Sequence, residues 1–157
     1  MKGETPMHRV KKISIIILII MAGMTSDLFA ANDDEISLYD STGKATAYVA
    51  EELTIYLWSG KPVAYLDKDS AGGFHVYGFN GKHLGWFVGG VLRDDQGKAV
   101  GAVAEAFATP PRSDPFKSFK QFTPFKAFQE FAPFRPAFSN TWSDTSLKLF
   151  LLQGTSD

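Results

Sequence analysis

The 157-residue chain has no cysteine. That excludes a disulfide framework, a thiolate zinc site, a cysteine nucleophile and a lipobox cysteine for acylation. Histidine is almost as scarce, with three residues, one of them in the first ten. Basic charge is scarce too: 16 Lys and Arg stand against 17 Asp and Glu, so the chain lacks the basic field that nucleic acid requires. No apolar run reaches the roughly 20 residues that a membrane span needs. No nucleotide fingerprint is present either. The recurrent Gly-Lys dipeptides are not followed by Ser or Thr and lack the earlier glycine of a phosphate loop. No cofactor, metal or nucleic-acid partner is expected, and no nucleophile, base and orienting acid can be nominated.

What is present divides the chain in four. Arg9, Lys11 and Lys12 precede the apolar run from Ile13 to Met24, and the small residues Ala30 and Ala31 follow. A basic segment, a short apolar run and a small-residue site make a secretory signal over residues 1–30, cleaved after Ala30 or Ala31. The expected destination is the periplasm or the exterior. Residues 31–109 carry six basic and eleven acidic groups, and residues 110–157 six and four. The exported chain is thus an acidic domain followed by a basic tail.

Gly-Lys recurs at Gly43-Lys44, Gly60-Lys61, Gly81-Lys82 and Gly97-Lys98 within constant flanks. Five residues before each glycine stands Leu38, Ile55, Val76 or Leu92, and four before stands Tyr39, Tyr56, Tyr77 or, in the last copy, Arg93. Four residues after it stands Ala47, Ala64, Gly85 or Gly101, and five after it Tyr48, Tyr65, Trp86 or Ala102. Glycine supplies the positive φ of a tight hairpin turn, so each copy reads as one two-stranded hairpin. A two-residue turn at Asn80-Gly81 pairs Val76 with Gly85 and Tyr77 with Leu84. On Ser59-Gly60 the same count pairs Ile55 with Ala64 and Tyr56 with Val63. It also puts His75 and His83 on opposite faces, unable to share a metal. A single hairpin is marginal in water, so four copies are expected to converge around a pseudo-four-fold axis, the small residues allowing close approach. Tyr39, Tyr56, Tyr77, Tyr48, Tyr65 and Trp86 are candidates either for a displayed recognition surface or for packing between hairpins.

This frame, over residues 36–107 with the biased tail behind it, resembles the four-fold β-flower domain, a small bacterial family of short hairpins around a pseudo-four-fold axis. The resemblance implies an all-β, miniature propeller-like fold and no established activity. Copy four departs from the frame at Arg93 and Ala102.

In the tail, over residues 110–138, Phe116, Phe119, Phe122, Phe125, Phe128, Phe131 and Phe134 fall every third residue, with Pro115, Pro124 and Pro133 every nine. On an α-helix a three-residue period drifts about 60° per step, so the rings would circle the surface. A three-fold extended helix keeps them on one stripe. Its span of roughly 70 Å exceeds the domain's diameter of about 30 Å, so the tail must bend round the domain or leave it. The stripe is expected to pack on the tail's own β-domain, with a protein or cell-envelope surface as the alternative. Residues 140–157 are expected to anchor the tail, through a short helix capped by Ser143 or Asp144 that turns Leu147, Phe150 and Leu151 inward. The functional expectation is a non-enzymatic binding or structural module. Its rivals are an envelope protein docking through the tail and, on concavity alone, an enzyme with a site on the axis.

Overall fold

The computed structural model describes residues 35–107 and 114–156. The signal expected over residues 1–30 and its cleavage site lie outside them. Eight strands follow one another: β1 (Ile36–Tyr39), β2 (Ala45–Val49), β3 (Thr54–Leu57), β4 (Pro62–Lys68), β5 (Phe74–Gly78), β6 (His83–Val88), β7 (Val91–Arg93) and β8 (Ala99–Ala102). Every sequential pair is antiparallel, and β8 returns to β1 through Tyr39 and Ala102, closing the sheet into a barrel. Hydrogen bonding therefore continues between neighbouring hairpins as well as within them, and no sheet edge is left open.

Ile55 pairs with Ala64 and Val76 with Gly85 as expected, and the structure pairs Leu38 with Ala47 and Leu92 with Gly101 in the same way. Leu38, Ile55, Val76 and Leu92 fill the barrel together with Val63, Leu84 and Val100. In so narrow a barrel a large residue inside leaves room only for a small one across from it.

One residue further toward each turn, the expected pairing fails. Tyr77 pairs with His83 and Tyr56 with Pro62, leaving Leu84 and Val63 as bulged residues that join the interior instead of the aromatic face. The cause is the turn. Gly81 donates its N–H to the Gly78 carbonyl, and Gly78 donates its own to Lys82. The same two bonds recur at Asp40/Gly43/Lys44, Leu57/Gly60/Lys61 and Asp94/Gly97/Lys98. The loop thus holds three residues and ends on a glycine with φ between +76° and +84°, the geometry that inserts a bulge.

α1 (Leu147–Leu152) closes the mouth of the barrel that the Gly-Lys turns surround. Leu147, Phe150 and Leu151 enter the barrel's own core, and the Asn80 turn bonds the Gly154 carbonyl. Its cap is Ser146, whose hydroxyl accepts from the Leu149 N–H, and not the expected Ser143 or Asp144. The helix thus shares one hydrophobic core with the barrel.

Candidate functional site

The outer wall of the barrel carries the aromatic positions, which meet at the seams between hairpins. Tyr48 pairs with Tyr56 and Tyr65 with Tyr77, their rings stacked at 5.5 and 6.1 Å. At the third seam Trp86 faces Arg93, and at the fourth Ala102 faces Tyr39. There Phe107 fills the place of the missing ring, 6.3 Å from Tyr39, and lies tilted against Trp142 at 5.5 Å. Tyr39, Tyr48, Tyr56, Tyr65, Tyr77 and Trp86 are all buried. They form the packing between hairpins, not a displayed surface.

The tail covers the five tyrosines, running as a strap across the turns, while His75 and His83 lie against Trp86. Gln121, Glu130 and Ser139 donate their N–H groups to the carbonyls of Gly60, Gly81 and Gly97. Ser118 and Ala127 do the same to Trp58 and Phe79. Each series advances by nine residues per turn, so the proline period is the length of strap that serves one hairpin. Pro136, nine after Ala127, has no N–H to continue the second series. The turn glycines are needed twice over. A Cβ on Gly60 or Gly81 would stand 1.9 Å from the carbonyl oxygen of Phe119 or Phe128, and one on Gly97 2.5 Å from that of Ala137.

A second face of the strap supplies cations at the same interval. The Lys117 ammonium lies 4.2 Å from the centre of the Tyr48 ring and pairs with Glu35, while Lys126 lies 3.9 Å from that of Tyr65. Arg135, nine residues on, pairs with Asp69. Lys120 adds a bond of 2.7 Å to Glu35. Burial opposes ionisation of Glu35, but the two ammonium groups outweigh it and hold its carboxyl below the ordinary value. Desolvation, with the Glu35 charge nearby, pushes the Tyr48 hydroxyl up to about 12. Such cation contacts to a covered ring contribute on the order of 1 kcal/mol each.

The third face carries the phenylalanines, and here the expectation is reversed. Phe116, Phe119, Phe122, Phe125, Phe128, Phe131 and Phe134 are between 90 and 103 % exposed. The strap does lie on its own barrel, but it holds on with its backbone and cations, leaving the rings in solvent. Phe138, one step out of period, is the exception, clamped 4.7 Å from Arg93 and 5.5 Å from Arg135. Arg93 also donates to the Gly97 and Ser139 carbonyls, which accounts for the departure of copy four.

The histidines also require correction. The bulge at Leu84 turns His83 onto the face of His75, and Nδ1 of His75 stands 3.1 Å from Nε2 of His83. Asp69 lies 3.6 Å from His75, and the Glu130 carboxylate accepts the His83 backbone N–H. Burial, reinforced by the neighbouring imidazole, pushes His83 down to about 4, against the opposing pull of Glu130 and Asp69. Burial alone would raise Asp69, but the Ala71 N–H, Arg135 and His75 hold it below the ordinary carboxylate value. Among the described residues no group of three His, Cys, Asp or Glu side chains could hold a metal. That Asp69, Glu130 and Arg135 meet the histidines was not legible from the sequence, because Glu130 and Arg135 come from the strap, far along the chain from Asp69, His75 and His83.

A closed up-and-down β-barrel, stopped by a helix and belted by its own C-terminal strap, is the class that these features define. The chain belongs to the 4-fold beta flower protein family, whose model matches residues 36–151 and so takes in barrel, strap and most of the helix. No curated protein matches the chain, and no solved structure does.

Proposed function

We propose that this protein is an exported, non-enzymatic module whose barrel is a scaffold and whose phenylalanine stripe is its contact surface. We read the barrel as four hairpins around a pseudo-four-fold axis. Four turns closed by the same pair of bonds, and a strap advancing nine residues per turn, support that reading. The secretory pattern of residues 1–30 supports export. The interior on the axis is filled by apolar side chains, among them Leu38, Ile55, Val76 and Leu92, and α1 adds Leu147, Phe150 and Leu151 to the same core, which supports a scaffold role. A polar cleft of about 340 Å³ near Lys82, Asp94 and Lys98 opens at the rim.

The single observation that carries the reading is the exposure of seven consecutive rings on a backbone that is itself fixed to the barrel. Rings of this size bury about 150–250 Å² each when covered, so the stripe exceeds the few hundred Å² of contiguous apolar surface that monomers usually leave bare. Contact surface and core are separable by substitution. The quadruple variant F119S/F122S/F125S/F128S should melt within a few degrees of the parent, because exposed positions rarely move stability by more than about 0.5 kcal/mol each. It should lose most of the parent's binding of an apolar fluorescent dye. A large fall in melting temperature would mean that the rings are core, and would remove this reading.

A further inference from the structure

We infer that the third seam is an acid-sensitive clasp on the strap: protonating the His75–His83 pair displaces Arg135 and frees the strap between residues 130 and 139. The inference is independent of what the phenylalanine rings meet.

The pair holds one proton between its facing nitrogens. Nδ1 of His75 and Nε2 of His83 stand 3.1 Å apart, so one donates and the other must accept. With both rings charged, two N–H groups would face each other across that gap. The other nitrogen of His75, Nε2, lies 3.6 Å from Oδ2 of Asp69, and that oxygen already accepts from Arg135. Oδ1 of the same carboxylate holds the Ala71 N–H at 2.8 Å. A charged His75 therefore competes with Arg135 for a single oxygen, and Arg135 is left with the carbonyls of Ala71 and Gly72 in an exposed turn.

The seam is already short of acceptors. Trp86 Nε1, Arg93 Nε and Arg135 Nε are the buried side-chain donors without a partner among the described residues, and all three belong to it. Of the other charges around the pair, Asp67, across from His75, accepts from Gln129, and Glu130 accepts from the backbone of His83. Arg93, across from Trp86, is a further cation. On its other side His83 lines the rim cleft, where Lys82 and Lys98 stand against Asp94, Asp95 and Asp144. Added N–H groups and added positive charge both work against Arg135 staying in place.

Burial and the neighbouring imidazole hold His83 down to about 4 from its ordinary 6.5. The closed clasp thus binds fewer protons than the open one. It is fully favoured above about pH 6.5 and weakens as the pH falls toward about 4. Asp69 and Glu35, both held below their ordinary values, are still ionised at about pH 5, so acid reaches the clasp before it reaches those carboxylates.

Amide hydrogen exchange at about pH 7 and pH 5, each rate divided by its intrinsic value at that pH, tests this. The N–H groups of Glu130 and Ser139, bonded to the Gly81 and Gly97 carbonyls on either side of Arg135, should lose at least about tenfold in protection at the lower pH. That of Gln121, bonded to Gly60 in the stretch held by Glu35, should change less than about twofold. H83Q keeps the backbone N–H for Glu130 but cannot take the charge, so it should stay protected at both values. R135Q should have lost protection at both. A parent equally protected at the two pH values overturns the inference, as does an H83Q that loses protection as the parent does. If H83Q does not fold, the imidazole nitrogen shifts of the parent decide. His83 should become charged in step with the loss of protection at Glu130, and a charged His83 beneath a protected Glu130 overturns the clasp. Dye binding by the stripe is unaffected by these outcomes, so the two readings fail separately.

Discussion

Gly81→Ala should cost the protein about 2–4 kcal/mol and release the strap, whereas Gly72→Ala should cost only about 1–2 kcal/mol and leave the strap in place. Both glycines have positive φ, +84° and +96°, so both substitutions carry the strain of a side chain in the left-handed region. They differ in what the new methyl group meets. At Gly72 nothing stands within 4 Å, while at Gly81 the Phe128 carbonyl oxygen would be 1.9 Å away. That oxygen belongs to backbone fixed on either side, by the Ala127 N–H on the Phe79 carbonyl and the Glu130 N–H on that of Gly81, both at 2.8 Å. It can withdraw only if those bonds break, at about 0.5–1.5 kcal/mol apiece. Urea unfolding gives the two costs, and limited proteolysis reports the strap. New cleavage between residues 120 and 132 is expected in the Gly81 variant alone. Equal costs and equal protease resistance would mean that the strap does not cross the turn.

Leu147→Ala is the second large effect. Its side chain is fully buried within the barrel's core, and α1 has only six residues, too few for a helix to persist on its own propensity. The helix is therefore held by what it buries, and a leucine truncated in such a place costs about 2–5 kcal/mol. For a domain of this size that corresponds to a melting temperature lower by about 10 °C or more. Leu149, on the same helix but 61 % exposed, should tolerate alanine with a change below about 0.5 kcal/mol. A thermal melt of each variant settles the matter. Similar small shifts for both would show that α1 rests outside the barrel and does not stop it.

The parts legible from sequence were those in which one residue type answers one local demand. Glycine before lysine marked every turn because each needs a positive φ, and the alternation of aliphatic with small residues gave the pairing of Ile55 with Ala64 and of Val76 with Gly85. What failed was parity close to the turn. Asn80-Gly81 suits a two-residue turn as well as a three-residue loop ending on glycine, and the extra residue sends Leu84 inward and His83 outward. That one residue moved the histidines from opposite faces to 3.1 Å apart.

The strap failed differently. A three-residue period says that the phenylalanines share a face, but a three-fold helix has three faces, and hydrophobicity alone favoured turning theirs inward. The competing signal was on the second face, where Lys117, Lys126 and Arg135 recur every nine residues in step with the hairpins. Buried tyrosine rings seat those cations, and the turn carbonyls take the strap's N–H groups, so the inward side is already occupied. The Arg135–Asp69 pair spans 66 residues of sequence, and no local pattern could join them.

Hydroxyl-radical footprinting of the dilute, lipid-free chain reads most directly whether the strap holds on by its backbone and cations and keeps its rings in solvent. Phe116 to Phe134 should be oxidised at least about tenfold faster than Phe74, Phe87 and Phe150, which are buried in the barrel's core. Phe138, clamped between two arginines, should fall between the two groups. Tail phenylalanines protected as strongly as those of the barrel would contradict it.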